Sequence, residues 1–117
     1  MKRIVSLLAA AAVVAATLFV VVPFAGARTA ATTVKVTAKE FKFVLSRSSA
    51  PHGKVTFKVV NKGKAKHDFK IAGKRTPMLK PGKTATLTVT LSKGKHKYVC
   101  TVPGHSAAGM RGTFKAT

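Results

Sequence analysis

Beyond residue 33 the chain alternates apolar and polar residues in short runs, the period of strands with one buried face. Val55, Phe57 and Val59 alternate with Lys54, Thr56 and Lys58, and Leu87, Val89 and Leu91 alternate with Thr86, Thr88 and Thr90. The same period predicts further strands over 34–37, 41–45, 68–72, 95–101 and 112–116, about seven in all. Helical periodicity is absent. Pro51-His52-Gly53, Asn61-Lys62-Gly63, Pro81-Gly82 and Ser92-Lys93-Gly94 supply the backbone freedom that reversals need. Short strands at this spacing predict an all-β fold, an antiparallel sandwich.

The first residues follow another pattern. Met1, Lys2 and Arg3 precede a nearly unbroken apolar run from 4 to 22, followed by Ala25-Gly26-Ala27. A basic start, an apolar run and small residues placed for a signal peptidase predict a secretory signal over 1–27. The alternative is an uncleaved membrane anchor, since the run is 19 residues long and a spanning helix needs about 20. Either way the basic start holds the N-terminus on the cytoplasmic side. The domain is then exported, to the periplasmic or extracellular face of the membrane. Residues 28–33 read as a short leader, and 34–117 as a single domain.

Composition narrows the function classes. The chain has 117 residues, with 22 Lys and Arg against 2 Asp and Glu, too short for a multi-domain enzyme. The lysines fall on the outward positions of strands and in turns, as at Lys35, Lys54, Lys58, Lys83, Lys93 and Lys95. Such a surface is first a solubilising one. It also attracts acidic partners or anionic membrane and envelope surfaces. No recognition motif supports nucleic acid as a partner. Gly82-Lys83-Thr84 copies the end of a phosphate-binding loop, but Pro77 stands where that loop needs glycine, so it reads as a turn.

Small exported domains usually rely on disulfides, yet Cys100 is the one cysteine. Metal ligation is one explanation for a lone exported thiol. Between two predicted strands the chain reads Cys100-Thr101-Val102-Pro103-Gly104-His105-Ser106-Ala107-Ala108-Gly109-Met110. Thiol, imidazole and thioether at Cys-x4-His-x4-Met suit copper, and two His, one Cys and a weak axial Met make the blue-copper arrangement. A second histidine must come from elsewhere; His67, after the glycine turn, is chosen over His52 and His96. Met78 reads as a packing residue.

With these residues in place the sequence resembles the cupredoxins, the small blue copper proteins. The resemblance rests on Gly53-Lys54-Val55-Thr56-Phe57, Asn61-Lys62-Gly63, His67-Asp68-Phe69, Pro81-Gly82, Tyr98-Val99-Cys100, Gly104-His105 and Gly109-Met110-Arg111-Gly112, in that order. It implies a Greek-key β-sandwich with one type 1 copper held by His67, Cys100 and His105, with Met110 axial. It also implies that electrons pass between a redox donor and acceptor at the His105 edge; the chain is expected to act as a monomer. Pro103, Ala107 and Ala108 would form an apolar collar there for a partner with an acidic surface. Relatives often carry Asn after the first His; here it is Asp68, with Thr101 placed to bond it. No catalytic residue is assigned, and 4 His cannot supply the extra centres of a copper enzyme. The alternative function is copper storage or delivery without electron transfer.

Overall fold

The computed structural model describes residues 30–117. The signal or anchor segment expected over 1–27 lies outside these residues. Among the described residues nine strands form: β1 (Thr32–Lys39), β2 (Lys42–Leu45), β3 (Ser49–Ala50), β4 (Gly53–Asn61), β5 (Lys70–Ile71), β6 (Lys74–Arg75), β7 (Thr84–Leu91), β8 (Gly94–Val99) and β9 (Arg111–Ala116). They make two sheets, ordered β2-β1-β4-β7 and β3-β9-β8-β5-β6.

The alternation fixes which side chains meet between the sheets. Val55, Phe57 and Val59 of β4 are fully buried, and Lys54 and Lys58 are exposed. Val34, Val36, Val89 and Leu91 join them from the first sheet, and Ile71, Phe114 and Ala116 from the second, in one apolar cluster. Phe57 packs against Phe69 and Phe114 with ring centroids 5.1 and 5.3 Å apart, the spacing at which aromatic pairs attract beyond their buried area. Every Lys and Arg among the described residues is exposed, so the core forms beneath a cationic shell.

The fold departs from the sequence expectation in three ways. The sheets are mixed, not purely antiparallel: β1 runs parallel to β4, and β3 parallel to β9. After β2 the chain crosses to the other sheet at β3 and returns, so β4 lies beside β1 in the same direction. Side-chain alternation is the same for both directions, which is why the sequence did not reveal this. Secondly, β3 and β6 are two residues long, too short to show a period. Thirdly, the strand expected over 68–72 shrinks to Lys70–Ile71. His67, Asp68 and Phe69 are buried in succession, which a strand with one buried face cannot achieve. They belong to a crossing segment in which His67 exchanges backbone bonds with Leu79, at 3.1 and 2.8 Å.

Candidate metal centre

The segment between β8 and β9 builds most of the site. The β8–β9 ladder continues one step past Val99 and Arg111, because the Cys100 amide donates to the Met110 carbonyl at 3.0 Å. The two ends of the Cys-x4-His-x4-Met segment therefore lie opposite each other. Tight turns return the chain between them: the Met110 amide donates to the His105 carbonyl at 3.1 Å, and the Ala108 amide to that of Gly104 at 3.1 Å. Glycine is required at 109 twice over: its φ is +126°, and a Cβ there would lie only 2.9 Å from the Phe41 carbonyl oxygen.

His67 arrives from the opposite wall, fixed by its bridge to Leu79. Its Nδ1 is 3.1 Å from His105 Nδ1 and 4.0 Å from Cys100 Sγ, and Cys100 Sγ is 3.7 Å from His105 Nδ1. A triangle with these edges has a circumradius of about 2.1 Å, inside the roughly 2.0–2.3 Å at which zinc, another first-row ion, holds His nitrogen and Cys sulfur. Met110 is fully buried and packs with Cys100 and Ala38, with Phe43 and Val102 at the margin. His67, Cys100, His105 and Met110 are thus arranged as a copper site: two imidazoles and two soft sulfurs in an apolar setting match copper better than harder ions.

Burial pushes the Cys100 thiol pKa up, while the Asp68 and Val102 amides pull it back. Without metal the thiol keeps its proton near neutrality, and the thiolate forms as an ion binds.

Both acidic side chains of the described residues are wired to this site. Asp68 is buried, its Oδ1 accepting from the Thr101 amide at 2.6 Å and its Oδ2 from the Thr101 hydroxyl. The bond runs from Thr101 to Asp68, locking the segment after Cys100 to the segment after His67. Glu40, which sequence reasoning missed, lies just past β1. Its Oε1 accepts from the Lys64 and Ala65 amides, each at 2.6 Å, and lies 3.2 Å from His67 Nε2. The Ala65 amide, with lesser help from its own backbone, Lys64 and His67, holds the Glu40 pKa down to about 2. The available signal was composition: one of only two acidic residues amid 22 Lys and Arg invites a specific role.

Phe41 was also missed. It is 44% exposed and meets the half-buried His105 ring edge-on at 5.1 Å. Pro103, Ala107 and Ala108 are exposed around the same loop. The structure leaves the other candidates away from the centre: His96 Nε2 bonds the Ser92 carbonyl, and His52 Nδ1 the Thr117 carbonyl. Met78, expected to pack, is 46% exposed. Gly82-Lys83-Thr84 is a turn into β7, with Gly82 at φ +81° and its amide on the Asn61 carbonyl.

Known proteins share this architecture. The structure is similar to reduced auracyanin from the photosynthetic bacterium Roseiflexus castenholzii (TM-score 0.66, 21% identity, 76% of this chain and 99% of that one). It is similar to auracyanin B (TM-score 0.64, 25% identity, 77% and 91%). A third likeness is to auracyanin A, a blue copper protein of Chloroflexus aurantiacus (TM-score 0.63, 19% identity, 75% and 100%). No protein of curated function matches the sequence. The family model of the cupredoxin-like domain matches residues 8–113, nearly the whole chain, and the chain belongs to that family.

Proposed function

We propose that the protein is an exported type 1 copper protein that carries single electrons between redox partners and transforms no substrate. The observation that carries this reading is the His67–Cys100–His105 triangle over a buried Met110. When bound, copper supplies a one-electron couple, Cu(II)/Cu(I). Cu(II) prefers tetragonal nitrogen and oxygen ligands, whereas Cu(I) accepts soft, low-coordinate surroundings. His67, Cys100 and His105 would hold the ion, with the Met110 thioether as a weaker fourth donor, and the chain keeps these side chains in one arrangement. The ladder bond between Cys100 and Met110, the His67–Leu79 bridge and the Asp68–Thr101 bonds all resist rearrangement. Little reorganisation means fast exchange. Electron self-exchange, followed by NMR line broadening in mixtures of the oxidised and reduced protein at high salt, where the repulsion between two cationic surfaces is screened, should be rapid; exchange too slow to broaden any line under those conditions would contradict the carrier role.

Asp68 stands where relatives often have Asn. An ionised carboxylate there would favour Cu(II) over Cu(I), so Asp68→Asn should raise the midpoint potential. An unchanged potential would remove Asp68 from the tuning of the site.

Electrons would pass at the His105 edge, with Phe41, Pro103, Ala107 and Ala108 as the apolar contact. Beside it a cleft of about 500 Å³ is lined by Lys97, Tyr98, Ser106 and Arg111, suited to the carboxylates of an acidic partner. Transient redox complexes use small interfaces, and opposite charge speeds encounter. Residues 1–27 would direct the domain across the membrane, where it acts as a monomer.

A further inference from the structure

We propose that Glu40 is the positioning residue of the copper site: its carboxylate selects the His67 tautomer that can bind metal and biases the site toward the oxidised ion. The proposal rests on the copper reading above and deepens it. A carboxylate at this distance accepts a hydrogen bond, so His67 carries its proton on Nε2. That leaves the Nδ1 lone pair directed at His105 Nδ1 and Cys100 Sγ. The ligand nitrogen is thereby chosen before any metal arrives.

The contact is built into the fold. Glu40 Oε1 gathers three donors, the Lys64 and Ala65 amides and His67 Nε2, from the segment that leads into His67. The adjoining Lys62 amide donates to the Ala38 carbonyl at 2.9 Å, fastening the same segment to the end of β1. Gly63 makes room for the carboxylate: a Cβ there would sit 2.5 Å from Oε1. His67 is fully buried, and the Glu40 side chain is 32% exposed. Phe41, the next residue, packs on the other imidazole. The turn between β1 and β2 therefore steadies both histidines, one by charge and one by a ring edge. Metal-bound histidines characteristically give their second N–H to such an acceptor, which raises ligand basicity, and losing that acceptor commonly costs 10–100-fold in metal affinity.

Glu40→Gln tests the charge, since the amide oxygen can still accept the three donors; Glu40→Ala removes the acceptor altogether. In the metal-free wild type, imidazole ¹⁵N shifts should place the His67 proton on Nε2, and Glu40→Ala should mix the two tautomers. In the copper-loaded protein, Glu40→Gln should lower the ratio of Cu(II) to Cu(I) affinity by about tenfold, raising the potential by about 59 mV. A purely structural role would leave the potential of a folded Glu40→Gln protein unmoved. That result, or a wild-type proton on Nδ1, overturns the proposal. Should Glu40→Ala fail to fold, Glu40→Gln alone decides. A wild type lacking a type 1 spectrum would instead overturn the copper reading, while the tautomer measurement would still stand.

Discussion

Phe69→Ala should cost about 3–5 kcal/mol, the range for deleting a fully buried aromatic side chain, out of the roughly 5–15 kcal/mol that holds a domain together. Phe69 is fully buried where core and metal centre meet. Its ring contacts Phe43, Phe57 and Tyr98 at centroid distances of 5.3, 5.1 and 5.4 Å. Its amide donates to the Thr76 hydroxyl, and its carbonyl accepts from the Thr76 amide. The neighbouring rings are anchored in different strands, so the space left by truncation cannot close by moving one of them. Urea unfolding of the metal-free protein should show a midpoint far below wild type. Val44→Ala is the control, because Val44 is 51% exposed and a surface substitution usually changes stability by less than about 0.5 kcal/mol. Equal stability of the two variants would mean that the core does not close around Phe69 as described.

Cys100→Ala should have the opposite profile, a small effect on the fold and a complete one on the copper. The metal-free side chain is a small buried thiol, and its loss should cost on the order of 1 kcal/mol. Among the described residues, however, it supplies the one thiolate. Without it, His67, His105 and Met110 offer two nitrogens and a weak thioether, and Cu(II) would complete its preferred tetragonal set with water. The thiolate-to-copper absorption should vanish entirely. A variant that kept that band would place the thiolate role elsewhere.

The sequence carried the local half of this architecture. Cys100, His105 and Met110 sit on one short segment, so their spacing alone suggested a shared site. Alternation in β4 and β7 revealed the core because burial there follows strand parity. What stayed hidden depends on long-range closure. Glu40 meets His67 across 27 residues of chain, and Phe41 meets His105 from the same turn; nothing local marks either pairing. Asp68 was recognised as a partner of Thr101, but its place in a predicted strand was wrong, because three successive buried residues signal a crossing segment. The direction of β4 beside β1 was hidden for a related reason: it is decided by where the chain crosses between sheets.

The cationic surface takes on a sharper meaning from the two carboxylates. Asp68 is buried against Thr101, and Glu40 is engaged by two amides and His67. Neither is free to offset the exposed Lys and Arg side chains. The repulsion among those cations opposes compactness, while both acids serve the interior of the proposed copper site.

The measurement that bears most directly on the proposed function is the visible absorption and EPR spectrum of the wild-type protein after addition of Cu(II). An intense blue thiolate-to-copper band with small copper hyperfine splitting is the expected result, and it would follow from Cys100 and the two imidazoles enclosing the ion. Weak colour with an ordinary tetragonal EPR signal would contradict the electron-carrier reading and leave copper storage or delivery in its place.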